Sequence, residues 1–329
     1  MAKDQGKVGE AKSEVVTNLP LACSSQDAAV AFLEELRWGD TPCCPECGSV
    51  NVYQMRDRKT GEREKHYRWR CRDCKTGQDK SKRDQFSVRT GTVMEESRIP
   101  TQHWCWAFWQ LCSSKKGMSA KQIQRQTGLS YKSALFLLHR VRFAMTDMDG
   151  VKLSGTVEVD ETYIGGKPRR HTGVKSKRGR GTKKTPVVGM VERNGNVHRR
   201  VVPDVTAATL KSAIREVVDN QATIMTDELS SYSGIGAEFA GGHKVVCHSA
   251  GQYVNGDAST NTAESSFALV KRGMYGVYHN VSKQHLHRYL AEFDFRWNNR
   301  HVEDGERTVN AIKGAVGKRL MYREPNEIS

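Results

Sequence analysis

Thr156-Val157-Glu158-Val159-Asp160-Glu161-Thr162-Tyr163 is the stretch on which the fold turns. β-Branched residues alternate there with carboxylates. As a strand it sets Val157 and Val159 on one face and Glu158 and Asp160 on the other. Gly165-Gly166 ends the run. Downstream, Pro186–Val191 and Val197–Val202 read as two more strands, joined by a hairpin with an Asn194-Gly195 turn. Ala207 to Val218 is an amphipathic helix, Ala222–Thr226 is a short apolar strand ending in Asp227-Glu228, and Lys244–Cys247 is a fifth strand. Helices are predicted over 262–275 and about 282–297. Three antiparallel strands followed by a helical crossover to a parallel strand is the order of an RNase H-like α/β domain, a mixed five-stranded sheet with helices.

That order gives the carboxylates a meaning. It makes the strands carrying Asp160 and Asp227 neighbours, so the two acids converge, and Glu264 follows on the next helix. Three hard oxygen donors suit Mg²⁺ or Mn²⁺, and a pair of such ions supports in-line phosphoryl displacement. Lys271 lies two helical turns beyond Glu264, where it could hold a phosphate or developing negative charge. Phe267, Val270 and Met274 are the buried stripe of that helix. Glu158, Glu161 and Glu228 compete as ligands, Asp257 is a rival third acid, and His248 and His279 could reach a phosphate.

Upstream, two cysteine knuckles stand out among nine cysteines: Cys44-Pro-Glu-Cys47 and Cys71-Arg-Asp-Cys74. Two C-x2-C pairs complete a tetrahedral, structural Zn²⁺ site, and with the strand 66–70 leading into the second pair they read as a zinc ribbon. Cys43 could replace its neighbour Cys44. An odd number of cysteines and a polar N-terminus without an apolar signal core point to reduced thiols in a cytoplasm. No apolar run is long enough for a membrane span.

Between these parts, residues 101–145 read as three helices. Trp104, Trp106, Phe108 and Trp109 belong to the core. Ser119 with Gln122 has capping-box spacing, Thr127-Gly128-Leu129 is a tight turn, and Ser130 caps a helix from Tyr131. The spacing fits a helix-turn-helix whose outward residues are Ser130, Tyr131, Lys132 and Ser133. The net charge of +15 supports a nucleic-acid partner. It concentrates in 52–90, in the acid-free stretch 97–146, and in 167–200, suggesting three contact surfaces. Within the last block, Arg169, Arg170, Lys175, Lys177, Arg178, Arg180, Lys183 and Lys184 form a Gly-punctuated loop suited to phosphates.

Several strings together resemble the DDE-type insertion-sequence transposases that carry a zinc ribbon, the IS1595 group. They are Phe32-Leu-Glu-Glu-Leu-Arg-Trp38, Phe86-Ser-Val-Arg-Thr-Gly-Thr92, Leu138-His-Arg-Val-Arg142, Val159-Asp-Glu-Thr-Tyr-Ile-Gly-Gly-Lys167, Thr226-Asp-Glu228, Asn261-Thr-Ala-Glu264, Leu269-Val-Lys-Arg-Gly273, Gly276-Val-Tyr-His279 and Arg288-Tyr-Leu-Ala-Glu-Phe293. The resemblance implies a catalytic triad of Asp160, Asp227 and Glu264 holding two Mg²⁺ (or Mn²⁺) ions, with Lys271 as the trailing lysine. It further implies cleavage and strand transfer of double-stranded DNA, at element ends bearing inverted repeats and at a target, in a homodimer or higher synaptic oligomer in a prokaryotic cytoplasm. The expected division is a flexible tail (1–24), a zinc-ribbon domain (25–95), a helix-turn-helix domain (96–150), the RNase H-like domain (151–302) and a C-terminal tail (303–329). Two other readings share these modules: a non-catalytic DNA-binding regulator or domesticated transposase, and a nuclease or resolvase that cuts without joining.

Overall fold

Ser25 starts the first long helix by accepting the Ala28 N–H on its side chain at 3.2 Å. The computed structural model describes residues 18–76, 83–146, 150, 152–166, 184–247 and 259–321. They fall into two compact units: Met1–Ser113 with Ile123–Ala144 and Val302–Leu320, and Ser114–Gln122 with Met145–His301 and Met321–Ser329.

In the first unit, α1 (Leu19–Ala22) and α2 (Gln26–Trp38) precede a three-stranded antiparallel sheet of β1 (Val52–Gln54), β2 (Trp69–Cys71) and β3 (Gln85–Phe86). The short α3 (Arg72–Thr76) carries the second knuckle's Cys74. A sheet this small has little core of its own. The end of α2 supplies one: Trp38 meets Trp69 and Phe86 edge-on, with centroids 5.9 and 5.8 Å apart. Glu34, one turn earlier, accepts the Trp69 indole N–H at 2.7 Å and pairs with Arg63.

α4 (Thr101–Ser113), α5 (Ala120–Thr127) and α6 (Tyr131–Ala144) follow. Trp104 and Phe108 are buried as expected, whereas Trp106 and Trp109 are only partly covered. The Gln122 N–H reaches Ser119 Oγ and the Ser133 N–H reaches Ser130 Oγ, both at 3.2 Å. Gly128 turns the chain at φ +72°.

The second unit holds β4 (Thr156–Ile164), β5 (Thr185–Glu192), β6 (Val197–Val201), α7 (Ala207–Val217), β7 (Thr223–Asp227), β8 (His243–Val246), α8 (Asn261–Gly273) and α9 (Leu286–Asn298). The sheet order is β6-β5-β4-β7-β8, antiparallel from β6 to β4 and parallel from β4 to β8. Alternation along β4 assigns its two faces. Val157 and Val159 join Leu210 and Ile214 of α7 in one core, while Ile164 packs with Phe267 and Val270 of α8 and Phe293 of α9 in another. α8 runs on through a π-helical turn over Met274–Tyr278, which the sequence pattern did not reveal.

β4 runs to Ile164, just before the glycines that end the run, and β5 pairs with it as far as Ile164↔Thr185. The segment after Glu303, read from the sequence as a polar, helix-rich tail, does contain a helix, and that helix has a buried face. α10 (Asp304–Lys313) buries Thr308, Val309, Ala311 and Ile312 in the first unit, and Arg307 donates to the Cys112 carbonyl at 2.9 Å. Among the described residues no helix is long and apolar enough to cross a membrane.

Candidate functional site

The first chemistry-bearing cluster is sulfur. The ligand atoms of Cys44, Cys47, Cys71 and Cys74 all lie within 4.8 Å of one another, with Cys44–Cys74 at 3.8 Å and Cys47–Cys71 at 3.7 Å. A Zn–S bond near 2.3 Å gives a tetrahedral edge of about 3.8 Å, so the four thiols already have the spacing a zinc ion requires. Burial raises the Cys44 and Cys74 thiols above their ordinary pKa, so full deprotonation calls for a cation among them. Cys44, and not its neighbour Cys43, belongs to the cluster.

The second cluster is acidic and is built on β4 and β7. Their parallel register pairs Thr156 with Thr223, Val157 with Ile224 and Glu158 with Met225. The paired register ends there; Asp160 and Asp227, the last residue of β7, each lie two residues beyond that last pair, on the same face of the sheet, and the charge of Asp227 reaches Asp160. Across the other ladder Asp160 pairs with Gly189. A Cβ on Gly189 would lie 2.6 Å from the Phe267 ring, so the missing side chain lets α8 lie close over this face. Glu264, three residues before Phe267, is thereby carried to the site. Burial, with the charges of Glu161, Asp227 and Glu264, pushes the Asp160 carboxyl up to about 7.

Crowded acids of this kind fit a divalent cation, whose charge would relieve the repulsion and whose preference is for hard oxygen donors. The three carboxylates are more open than the thiols. Among the described residues the four cysteines are the only group of three or more potential ligands drawn within 4.8 Å. Lys271 is half-buried, two turns along α8 from the exposed Glu264.

The competing acids have other partners. Glu161 accepts the Tyr232 hydroxyl at 2.9 Å, and burial together with that carboxylate raises the tyrosine pKa. Glu158 is fully buried. It accepts Thr262 and Ala263 backbone N–H groups at 2.8 and 3.1 Å, the Thr262 hydroxyl at 3.1 Å and Arg193 Nε at 2.8 Å. Glu228 is exposed, as is His279, whose Nδ1 lies 3.1 Å from the Tyr275 carbonyl. The Glu158 and Gly189 roles escaped the sequence reading. Their available signals were a carboxylate in phase with Asp160 and a glycine inside a β-rich run.

The charged surfaces are smaller than the sequence charge suggests. In the acid-free stretch Arg140 and Arg142 are buried, and Arg140 donates to the Glu95 carbonyl at 2.9 Å. Arg199 is buried against Asp294, and in the ribbon Arg63, Arg68, Arg70 and Arg83 are paired with acids. Ser130, Tyr131 and Lys132 are exposed at the start of α6, and Ser133 is half-buried. Arg169, Arg170, Lys175, Lys177, Arg178, Arg180 and Lys183, with His248 and Asp257, lie outside the described residues. Lys184 is described: a Cβ on Gly165 would meet its Cγ at 3.3 Å, so the strand ends flanking 167–183 come together.

Residues 152–298 match the model of the ISXO2-like transposase domain, and residues 24–77 match the transposase zinc-ribbon domain. A Halobacterium salinarum protein, described as an uncharacterized protein in transposable element ISH50, is 30% identical over 285 residues, spanning 83% of this chain and 90% of that one. Among solved structures, the Mos1 transposase paired-end complex with left transposon end superposes with a TM-score of 0.29 at 14% identity, over 63% of this chain and 73% of that one. A pre-cleavage Mos1 transpososome gives 0.25 at 12%, over 94% and 99%. Similarity that low carries no weight for the fold.

Proposed function

Since the chain belongs to the IS1595 group of insertion-sequence transposases, we propose that its second unit is an RNase H-like DDE domain that cuts and joins DNA. The observation that carries this reading is that Asp160 and Asp227 each lie two residues past the last β4–β7 pair, Glu158↔Met225, with the charges of Asp227 and Glu264 both reaching Asp160.

Asp160, Asp227 and Glu264 would hold two Mg²⁺ or Mn²⁺ ions. Bound there, the ions would activate the attacking oxygen and neutralise the leaving one. The overall reaction is hydrolysis of a phosphodiester at the element end, followed by attack of the freed 3′-hydroxyl on a target phosphodiester. No serine or tyrosine nucleophile is needed. The protein's own contribution is placement. Asp160 is held by its pairing with Gly189 on β5 and Asp227 by its pairing with Val246 on β8, Glu264 is brought in by α8 over Gly189, and Lys271 offers a cation to a DNA phosphate.

The rest of the chain would position DNA. The zinc ribbon (25–95) and a helix-turn-helix reader (96–150) would grip the inverted repeats, with Ser130, Tyr131 and Lys132 at the start of α6 meeting the duplex. The basic residues from Arg169 to Lys184 would engage phosphates. Two or more copies would hold paired ends. Purified protein incubated with Mg²⁺ and a duplex bearing the element ends tests this. Wild type should cleave and join, and Asp227→Ala should bind without cutting. Equal activity in the two overturns the metal-site assignment, and cleavage without joined product points to a nuclease.

A further inference from the structure

We propose that Glu158 is the positioning residue for Glu264: its buried carboxylate caps α8 from the neighbouring strand and fixes that helix against Asp160. The inference rests on the metal-site reading above. A helix start leaves its first N–H groups without partners, and a residue of the helix's own N-cap usually supplies the acceptor. Here Thr260 occupies the N-cap position and makes no side-chain cap bond. The acceptor comes from more than one hundred residues earlier in the chain. Glu158 Oε2 takes the N–H groups of Thr262 and Ala263, while Oε1 takes the Thr262 hydroxyl and Arg193 Nε.

A carboxylate with no exposed surface is costly unless its oxygens are saturated. Arg193 brings the compensating charge and also reaches Ser259 Oγ at 2.8 Å, just before the helix begins. The clamp therefore ties three segments: β4, the turn after β5, and the entry to α8. The geometry gives it leverage. On β4, Glu158 is two residues from Asp160 and on the same face; on α8, the clamped Ala263 immediately precedes Glu264. A rotation or slide of α8 that displaced Glu264 would first have to break the bonds to Glu158.

The test uses Mn²⁺ binding to the full-length protein, followed by electron paramagnetic resonance, beside thermal unfolding without metal. Residues that hold a metal ligand in place typically change affinity by about 10- to 100-fold when removed. Glu158→Gln keeps the size but presents an amide NH₂ to groups that are themselves donors. It should weaken Mn²⁺ binding about tenfold in the folded protein. Adding it to Glu264→Ala should cost little more than Glu264→Ala alone, because both act through one ligand. Unchanged affinity in Glu158→Gln, or fully additive losses in the double variant, overturns the proposal even if the melting temperature falls. Asp227→Ala is the control: if it binds Mn²⁺ like wild type, the site reading itself fails. Should Glu158→Gln not fold, amide exchange in wild type decides. The Thr262 and Ala263 amides should exchange far more slowly than uncapped first-turn amides, and fast exchange there overturns the clamp.

Discussion

Gly189 pairs directly with Asp160 across the β4–β5 ladder, and the space beside its Cα is taken by the ring of Phe267. Gly189→Ala should therefore act twice. The added Cβ would lie 2.6 Å from Phe267 Cζ, and overpacking of this kind costs about 1–3 kcal/mol. It should also lift α8 and Glu264 from the sheet, lowering DNA cleavage by more than the stability loss explains. Thermal melts and cleavage assays check both, and Phe267→Leu in the same chain should recover part of each.

The raised pKa of Asp160 sets a pH dependence for the metal-free protein. Its folded value of about 7 exceeds the ordinary 3.8, so folding favours the protonated form. Stability is then lost as pH rises from about 4 to 7, and the penalty is full above 7. Asp160→Asn removes that charge. The variant should melt higher than wild type at pH 8, with the gap closing towards pH 4. Melting curves across this range, without divalent ions, measure it; a gap independent of pH contradicts the assignment.

Zinc content separates two adjacent cysteines. Wild type and Cys43→Ser should each carry one zinc per chain by elemental analysis, while Cys44→Ser should lose it. Chelation should disorganise the contacts of Trp38 with Trp69 and Phe86, read as a change in tryptophan fluorescence.

Burial sorts the cations of the helical module. Lys132→Ala should weaken binding to element-end DNA and reduce the salt slope by about one, with the melting temperature unchanged. Arg140→Ala should instead lower the melting temperature, because its guanidinium is buried against the Glu95 carbonyl. Electrophoretic binding series at several salt concentrations, paired with melts, distinguish the two.

The sheet was legible because β4 alternates cleanly and its glycine and asparagine turns mark the strand ends. The cysteine spacing likewise disclosed the thiol cluster. Less legible was anything decided by a distant partner. Arg140 and Arg142 look like surface charge until packing buries them. Glu158 has the same local pattern as Asp160, and only the arrival of α8 turns one into a helix cap and leaves the other beside Asp227. The sequence pattern reads as a helix that stops at 275, before Gly276, and carries no signal of the wider π turn that continues it to Tyr278.

The β4–β5 hairpin extends four residues past Asp160, and Gly165 meets Lys184 at its end. Ladder pairing is complete before the chain leaves at Gly166, so neither the register nor the acids depends on how many residues separate those two points. Recomposing the stretch between those two points should therefore leave the placement of Asp160 intact and change only what the proposed phosphate contacts of Arg169 to Lys184 contribute.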